Sequence, residues 1–573
     1  MGREGSPGGR GDGRARAGVV RGRRWRQSVG GAQIFLDFRN LGTRGLFSPR
    51  ADDVVVLTSR SCPTVFRWRQ DKEADNRGCV TMKDIVQGDV RWAILMNFSV
   101  DLGWLVQACP HLSKIPKVFV LHGSRDEVPA RCPPHWDLFG PKCPDYGTHH
   151  SKAALLAYDG GIRVAIFTAN FLPMDHDFLS NAVWVQDFPK KNNDSTMSSE
   201  FQEDLIRYMS ATRWPGGKMP PEDEAGKLPL GKWKGRKISV DTLRNFDYSG
   251  AGVKLIASVP GWHKNDAINH WGQGAMRAAL SRETFPARFK GAPVVCQFSS
   301  LGSTTENWIK SMRATFCEGN MAPEPGTAAN YKTERNLLGG GELKIVWPTL
   351  SEVGGSILSH WSGMSIPGNE KNVKNKNVRD RFHRWRRTSL EGGDLPNPMG
   401  RENAAPHIKT FLRYDANSGD AAGTKLAWLL LTSHNLSKSA WGEFQQSAMG
   451  ERQLAIKSFE LGVLFLPSLI GPEVVTPFSC TGPVMSPATC LASVRPRATE
   501  RGHASVIEEL TCVSSLVSEA AEEGSGDVEA VARAPLPYHV PPQPYDAATD
   551  VPWMWNDENT ELAHQALATL NRA

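Results

Sequence analysis

The sequence contains no apolar stretch that approaches the ~18 residues needed for a membrane-spanning helix. Its longest apolar run, at 426–431, is predicted to be a buried β-strand instead. No apolar signal segment opens the chain, so we do not expect secretion. The ten Cys include no CxxC pair and follow no disulfide-framework spacing, which favours a reducing compartment.

Most of the formal net charge of +7 lies at the amino terminus. Residues 1–30 hold eight Arg against Glu4 and Asp12, and Gly is frequent among them. Such a segment cannot bury a core, so residues 1–45 are predicted to form a disordered Gly/Arg-rich tail. Three roles stay open for the tail: loose nucleic-acid binding, a nuclear or organellar address, or a solvated leader.

Strand-like and helical patterns alternate through the rest of the chain, which is typical of layered α/β domains. The predicted strands lie at 118–121, 153–157, 163–168, 253–258, 293–298, 343–346, 427–431 and 463–466. The series is doubled, and it predicts one domain over 46–249 and a second over 250–573. Within the second domain, about 486–534, an Ala/Ser/Glu-rich stretch is predicted to be a disordered acidic insertion.

Another segment, 369–387, carries eight basic residues with Phe382, His383 and Trp385 between them. This mixture suits single-stranded nucleic acid, because basic groups reach phosphates and aromatic rings stack on bases. It suits equally well a solvated helix face above a packed Phe and Trp. Composition alone leaves both interpretations open.

One motif occurs twice. His-Ser-Lys at 150–152 is followed by an apolar run, a turn and a second apolar run that ends at Asn170, and His-Ile-Lys at 407–409 leads in the same way to Asn435. Side chains two positions apart in a strand share a face, so each motif presents an imidazole beside an ammonium group. Two such sets would supply the two proton carriers and two fixed cations that phosphoryl transfer without a metal requires. We therefore predict one catalytic site built from both domains.

The pairs resemble the HxK motifs of the phospholipase D superfamily, whose fuller form has an Asp five residues after the Lys. Here Ala157 and Tyr414 occupy those positions, and the loss of both Asp residues resembles the tyrosyl-DNA phosphodiesterase branch. Further segments are similar to that branch: Tyr146–His150, Gln297–Ser303, Pro406–Lys409, Asn435–Gly442, Phe459–Pro467 and Pro552–Asn556. The resemblance implies two phospholipase D-like α/β/α layered domains, related by a pseudo-twofold axis and sharing one central active-site cleft.

The resemblance also implies roles for individual side chains. His150 would be the nucleophile that forms a phosphohistidine intermediate, and His407 would protonate the leaving tyrosine oxygen and then activate water. Glu460 would orient His150. Where the family usually has a Gln beside the acid His, this chain has Asn181, which is one methylene shorter and is expected to reach His407 only through water. The phosphate oxygens would be held, in place of a metal, by Lys152, Lys409, Asn170 and Asn435.

The remaining predicted contacts face DNA. Tyr146 stands where the family uses a Phe beside the scissile end, and its ring can still stack on a base. Contacts to the phosphate backbone are expected from Ser300, Ser303, Ser433 and Lys438. The serines could equally be caps of a helix or a turn.

The implied function is repair of DNA by hydrolysis of 3′-phosphotyrosyl bonds left by trapped topoisomerase I, with other 3′ adducts as further substrates. We expect a nuclear monomer, with a mitochondrion or another organelle as the alternative location. It should act on single- or double-stranded DNA and need no cofactor, metal or membrane. The alternative enzyme is a broader phosphodiesterase or 3′-end nuclease of the superfamily, and the alternative from another class is a non-catalytic nucleic-acid scaffold.

Overall fold

A computed structural model describes residues 80–123, 132–192, 198–221, 230–322, 337–388, 401–418, 424–469 and 536–572, together with the backbone of five short strands elsewhere. Contacts between residues divide the chain into two units. Residues 1–51 with 568–573 form the first, which contains an antiparallel hairpin of β1 (Trp25–Val29) and β2 (Ala32–Leu36). Residues 52–567 form the second. The rest of the predicted tail and most of the predicted acidic insertion lie outside the described residues.

The first half of the larger unit contains a seven-stranded sheet. Its strands are β3 (Thr64–Val65), β4 (Trp92–Asn97), β5 (Val118–His122), β6 (Trp136–Phe139), β7 (Ala153–Ala157), β8 (Gly161–Phe167) and β10 (Ala182–Pro189). They lie in the order β3-β10-β8-β7-β4-β5-β6, antiparallel from β3 to β4 and parallel from β4 to β6. The strands β4, β7 and β8 are buried along their whole length and β5 is buried except at His122, as expected for a sheet covered on both faces.

The second half contains a sheet with the same seven-strand path. Its strands are β13 (Lys254–Ser258), β16 (Val294–Gln297), β18 (Leu343–Val346), β19 (Phe382–His383), β21 (Thr410–Tyr414), β22 (Thr424–Thr432) and β25 (Glu460–Phe465). Their order is β13-β25-β22-β21-β16-β18-β19, again antiparallel for the first four pairs and parallel for the last two. Two further strands, β26 (Leu510–Val513) and β27 (Ala532–Pro535), extend this sheet from β22.

The two sheets therefore match strand for strand. In each, the HxK segment lies directly before the fourth strand from the antiparallel end, β7 or β21, and the Asn follows the next strand along the chain, β8 or β22. The longest apolar run of the sequence forms β22, and its prediction as a buried strand is confirmed. The doubled pattern in the sequence thus corresponds to a duplicated α/β unit.

Short strands lie outside these sheets: β9 (Leu179–Ser180), β11 (Gly217–Lys218), β12 (Lys237–Ile238), β14 (Gly261–Lys264), β15 (Thr284–Phe285), β17 (Asn320–Met321), β20 (Ala405–Pro406), β23 (Glu443–Gln446) and β24 (Arg452–Ile456). The helices are α1 (Met82–Ile85), α2 (Leu102–Ala108), α3 (Pro173–Asp177), α4 (Glu200–Ala211), α5 (Gly272–Leu280), α6 (Glu306–Phe316), α7 (Leu350–Gly354), α8 (Glu370–Val373), α9 (Lys376–Arg379), α10 (Lys438–Trp441) and α11 (Asp557–Leu570). Within the described ranges, no helix has both the length and the apolar character to cross a membrane.

The largest apolar cluster joins the two sheets. It takes Trp92 and Leu155 from the first sheet and Leu429 and Val463 from the second. Alternate residues of β4, such as Leu95, point instead into a separate cluster on the outer face of the first sheet, as the period of two in a strand requires. Burial of each such side chain is worth about 1.5–3 kcal/mol. The shared core holds the two halves together and so fixes the cleft between them.

The structure decides between the two interpretations of the basic segment 369–387. Phe382 and Trp385 are buried, so neither ring can stack on a base. The Arg384 guanidinium forms a two-pronged ion pair with Asp550, at 2.6 and 2.8 Å. The two rings are packed as the second interpretation requires, and base stacking by Phe382 and Trp385 is excluded.

Candidate active site

The two HxK segments meet because each one pairs with the opposite half of the molecule. The backbone N–H of His150 donates to the Phe459 carbonyl at 2.9 Å, and that of His407 donates to the Ser180 carbonyl at 3.0 Å. Phe459 directly precedes β25, and Ser180, the last residue of β9, lies two positions before β10. The strands β25 and β10 occupy equivalent places in the two sheets. Each histidine is thus held beside a strand end of the other domain.

His150 forms a hydrogen-bonded pair with Glu460. Its Nδ1 lies 2.9 Å from Glu460 Oε2 and 3.1 Å from the Ser433 carbonyl oxygen. Both neighbours are acceptors, so Nδ1 carries the proton and Nε2 keeps its lone pair. Burial lowers the pKa of His150 below its ordinary value, and the opposing effect of Glu460 is smaller. The ring is therefore neutral near pH 7 and oriented as a nucleophile must be.

Glu460 is itself held by two partners. Burial alone would raise the pKa of this carboxyl group, but His150 and the Ser433 hydroxyl outweigh burial and lower it. The Ser433 hydroxyl donates to Glu460 Oε2 at 2.5 Å and accepts the backbone N–H of Leu461 at 3.0 Å. Ser433 is fully buried. The prediction that Ser433 contacts the DNA backbone is therefore wrong, because its hydroxyl is used within the protein to fix Glu460.

His407 has a carboxylate partner that the sequence analysis missed. Its Nδ1 lies 3.0 Å from Asp175 Oδ2, and both side chains are buried. Asp175 is the third residue of α3, which begins with Pro173, and its carboxylate also accepts the backbone N–H of Asn170 at 2.7 Å. Burial alone would raise the pKa of Asp175, but the imidazole of His407 outweighs it and lowers that pKa. The one sequence signal for Asp175 is a carboxylate five residues after Asn170, where the second copy has Ala440.

Asn181 reaches His407 directly, with Oδ1 lying 3.1 Å from Nδ1. The expectation of contact only through water is wrong, because the β9–β20 pairing brings the two backbones close enough for the shorter side chain. The same Oδ1 accepts the Thr168 hydroxyl at 2.7 Å, and Nδ2 donates to the Asp175 carbonyl at 2.8 Å. Asn181 is completely buried, so it positions His407 and is not itself a substrate contact.

Two buried ammonium groups complete the centre. Lys152 Nζ donates to the His150 carbonyl at 2.9 Å, and Lys409 Nζ donates to the His407 carbonyl in the same way. Burial lowers the pKa of Lys152 to about 8. Burial also lowers the pKa of Lys409 well below its ordinary value, and the charge of Lys152 adds to this effect. A bound anion would relieve this repulsion, so the pair is suited to a phosphate.

The two predicted asparagines lie beside this centre. Asn435 Oδ1 accepts the backbone N–H of Ser299 at 3.2 Å, which fixes the orientation of the amide. Asn170 is buried, and its Oδ1 lacks a hydrogen-bond partner within the described structure. A buried polar atom without a partner costs free energy, and it is satisfied when a ligand or water binds.

The predicted DNA contacts are spread around the opening. Ser300 is partly buried and Ser303 is exposed, in the loop that precedes α6. Lys438 is partly exposed and forms an ion pair with Glu443 at 2.7 Å. Tyr146 is 82% exposed and has a left-handed backbone with φ of 63°. A positive φ is strained for a tyrosine, and such strain is typical of functional sites.

Phe98 is a second residue that the sequence analysis missed. Its ring centroid lies 5.4 Å from that of His150, and the Lys152 ammonium lies 6.0 Å from the ring. Phe98 directly follows β4, and nothing in its local sequence distinguishes it from an ordinary core aromatic. It shields one side of the His150–Lys152 pair from solvent.

The geometry agrees with comparisons to known proteins. A family model described as tyrosyl-DNA phosphodiesterase matches residues 63–546. The chain is 36% identical over 526 residues to tyrosyl-DNA phosphodiesterase 1 of Arabidopsis thaliana, covering 88% of this chain and 78% of that protein. It is 30% identical over 402 residues to a probable tyrosyl-DNA phosphodiesterase of Caenorhabditis elegans, covering 66% of this chain and 78% of that protein.

A solved structure of a known protein has a similar fold. The crystal structure of yeast tyrosyl-DNA phosphodiesterase aligns with a TM-score of 0.54 at 15% identity, covering 86% of this chain and 99% of that one. At this identity the likeness shows the fold alone, which is the phospholipase D-like arrangement that the HxK motifs predicted. The family model and the two relatives extend the match to the sequence, and the chain belongs to the tyrosyl-DNA phosphodiesterase family.

Proposed function

We propose that this enzyme hydrolyses the bond between a tyrosine and the 3′ phosphate of DNA through a covalent phosphohistidine intermediate, and so removes the remnants of trapped topoisomerase I. The observation that carries the proposal is the pair of oriented imidazoles, one on Glu460 and one on Asp175. In both rings Nδ1 carries the proton, which leaves Nε2 as the atom that can react with the substrate. Two buried lysines lie beside the rings. One imidazole can attack phosphorus while the other serves the leaving oxygen.

In the first step, the lone pair on His150 Nε2 attacks phosphorus, and the bond between phosphorus and the tyrosine oxygen breaks. The phenol has a pKa of ~10 and is a fairly good leaving group. A proton from His407 Nε2 neutralises the departing oxygen. Lys152, Lys409 and the two asparagine amides stabilise the negative charge on the phosphate oxygens, at about 3 kcal/mol for each well-placed donor.

In the second step, His407 is neutral and accepts a proton from water as that water attacks phosphorus. The bond between phosphorus and His150 Nε2 breaks, which releases DNA with a 3′ phosphate and restores the neutral imidazole. His407 regains the proton that it gave away in the first step. The cycle is balanced in protons without any cofactor.

The protonation of His407 depends on the substrate. Burial lowers the pKa of His407 to about 4 despite the opposing effect of Asp175. The ring is therefore largely neutral at pH 7 in the free enzyme. A bound phosphodiester adds negative charge beside it, which raises its proton affinity. Asp175 acts in the same direction, because it stabilises the imidazolium form.

Asp175 should therefore affect the rate of the first step most strongly for substrates whose leaving group must be protonated. We expect Asp175→Asn to slow the first step on a 3′-phosphotyrosyl oligonucleotide by about tenfold to a hundredfold, since general acid catalysis contributes about 10²–10⁴. On a 3′-p-nitrophenyl phosphate ester, whose leaving group needs little protonation, the first step should change far less. Single-turnover measurements on both esters isolate this step from hydrolysis of the intermediate.

A purely structural role for Asp175 predicts a different result. Replacing the carboxylate with an amide also exchanges a charged acceptor of the Asn170 N–H for a neutral one, which would loosen the phosphate site. In that case both esters would react more slowly by the same factor. An equal fall on the two leaving groups would show that Asp175 does not act through His407.

The proposed activity is tested by incubating the purified enzyme with a 3′-phosphotyrosyl oligonucleotide in excess chelator. Two ammonium groups already lie where a divalent cation would otherwise neutralise phosphate charge, so release of tyrosine should continue. An unmodified oligonucleotide is the control for the nuclease alternative. Cleavage of internal bonds at a similar rate would favour the nuclease, and no turnover of either substrate would favour the scaffold.

Three further points belong to this proposal. The enzyme would act as a monomer, because one chain supplies both histidines and both of their carboxylate partners. It would accept single- or double-stranded DNA and other 3′ adducts, since the proposed contacts are to phosphate and not to base edges. It would act in the nucleus, where the trapped topoisomerase arises. Fluorescence microscopy of the tagged chain, with and without residues 1–45, tests that location and the role of the tail.

A further inference from the structure

The strands β14, β24 and β23 form a small antiparallel sheet beside the opening of the cleft. One face of this sheet packs inward through Leu454 and Ile456, which belong to the shared core. Alternation along the strands places the other face toward solvent. We call that face the outer shelf, and its members are Trp262, Lys264, Glu443, Gln445, Gln453 and Ala455, with Lys457 just beyond the end of β24.

Trp262 is an unusual member of a solvent-facing sheet surface, since 69% of it is exposed. Its cross-strand neighbour is Ala455, a small side chain that leaves the face of the indole uncovered. A single exposed apolar side chain is common and needs no explanation. In the described residues, however, the exposed aromatic side chains are Tyr146 and Trp262, and both lie on this surface.

Lys457 connects the two rings. It is exposed and directly follows Ile456, the last residue of β24. Continued alternation from Ala455 would place it diagonal to Trp262, roughly 7–8 Å away. Its ammonium lies 5.2 Å from the centroid of the Tyr146 ring, within range of a cation–π contact. A Cβ at Gly147 would lie 1.9 Å from the Lys457 carbonyl, so only glycine permits this close approach. The shelf is therefore continuous with Tyr146 at the opening.

The shelf also leads directly into the active site. Only Ser458 and Phe459 separate Lys457 from Glu460, the partner of His150. Ser458 Oγ accepts the backbone N–H of Thr148 at 3.2 Å, which fixes this connection. A strand whose 3′ phosphate lies at His150 has its preceding nucleotides at the opening. Two exposed rings with a cation between them match the alternation of bases and phosphates in such a strand.

We propose that the outer shelf binds single-stranded DNA on the 5′ side of the scissile phosphate, with one base stacked on Trp262 and a phosphate at Lys457. This inference rests on the proposed function, because it takes the 3′ end to be in the cleft. The other charges of the shelf fit a sequence-independent role. Lys264 pairs with Glu451 at 2.7 Å, and Glu443, opposite Ala455, pairs with Lys438. Recognition would therefore depend on stacking and on Lys457 more than on net charge.

The test compares 3′-phosphotyrosyl substrates with a short and a long DNA part, a dinucleotide and an oligonucleotide. Trp262→Ala should raise KM for the oligonucleotide about tenfold, as expected for the loss of one stacked base, and leave kcat unchanged. KM for the dinucleotide, which is too short to reach the shelf, should not change. Trp262→Phe should retain most of the affinity, because it keeps an aromatic face. Met449→Ala, a change at the exposed turn between β23 and β24, is the matched control and should have no effect.

The possible results distinguish failure of the shelf proposal from failure of the proposed function. An unchanged KM for the oligonucleotide in Trp262→Ala would overturn the proposal while leaving the activity intact. If Trp262→Ala instead weakens substrates according to the length of an attached peptide, the shelf binds the peptide and not the DNA, which also overturns it. A third result is that the wild-type enzyme cleaves neither substrate, while Trp262→Ala binds the free oligonucleotide more weakly than the wild type does. In that case the shelf binds DNA and the proposed function is wrong.

Discussion

Replacing His150 with Ala should reduce turnover of a 3′-phosphotyrosyl oligonucleotide by about four orders of magnitude or more, because it removes the nitrogen that attacks phosphorus in the first step. The neutral ring has Nδ1 committed to Glu460 and the Ser433 carbonyl, so its reactivity is concentrated at Nε2. The lysines and asparagines remain in this variant, so substrate should still bind. We therefore expect a large fall in kcat with a modest change in KM, measured by release of tyrosine.

Two controls make this result specific. His111→Ala removes an imidazole whose Nε2 lies 2.8 Å from the Gly88 carbonyl oxygen, outside the proposed site, and it should keep full activity. A denaturing gel of the His150→Ala reaction should show no DNA linked to protein. Retention of substantial activity, or a DNA adduct that mass mapping locates at His407, would contradict the assignment of His150 as the nucleophile.

Replacing His407 should have a different effect, because the two steps depend unequally on its proton transfers. A phenol leaves fairly readily without full protonation, so the first step should be partly spared. Hydrolysis of the intermediate needs a base to activate water, and loss of that base should slow it by about 10²–10⁴-fold. We therefore expect His407→Ala or His407→Arg to accumulate DNA covalently linked to His150, visible as a slowly decaying band on a denaturing gel.

The adduct can be assigned without ambiguity. Combining His150→Ala with His407→Ala should abolish the band, since no attacking imidazole remains. Mass mapping of the single variant should place the phosphoryl group on the peptide that contains His150. If no His407 variant accumulates an adduct although the first step proceeds, then water attacks phosphorus directly and the covalent mechanism is wrong.

Much of the site could be predicted from the sequence because its main elements are local. In each copy, His and Lys are two residues apart and an Asn follows after two apolar runs, so strand periodicity alone places each set at one strand edge. The partner Glu460 was found only through the resemblance to a known family. The structure places it 2.9 Å from His150, although 310 positions separate the two residues.

The sequence could not show which side chains contact each other between the two halves of the molecule. The position of Asp175, five residues after Asn170, is also that of an ordinary acid at a helix start, and its pairing with His407 depends on how β9 meets β20. The resemblance to the family implied that Ser433 contacts the DNA backbone, yet its hydroxyl donates to Glu460. Side chains with hydroxyl or carboxylate groups can serve either the ligand or the protein, and only the surrounding packing determines which.

The duplicated α/β pattern, the two His-Lys-Asn sets and the family could all be predicted from the sequence, because each depends on short-range spacing along a strand or a helix. The tertiary structure decided which carboxylate orients which histidine, because each pair joins one half of the molecule to the other. It also decided that the aromatics of segment 369–387 belong to the core and that Trp262 belongs to the surface. Those outcomes depend on how two sheets pack across a shared core, and no local spacing encodes that arrangement.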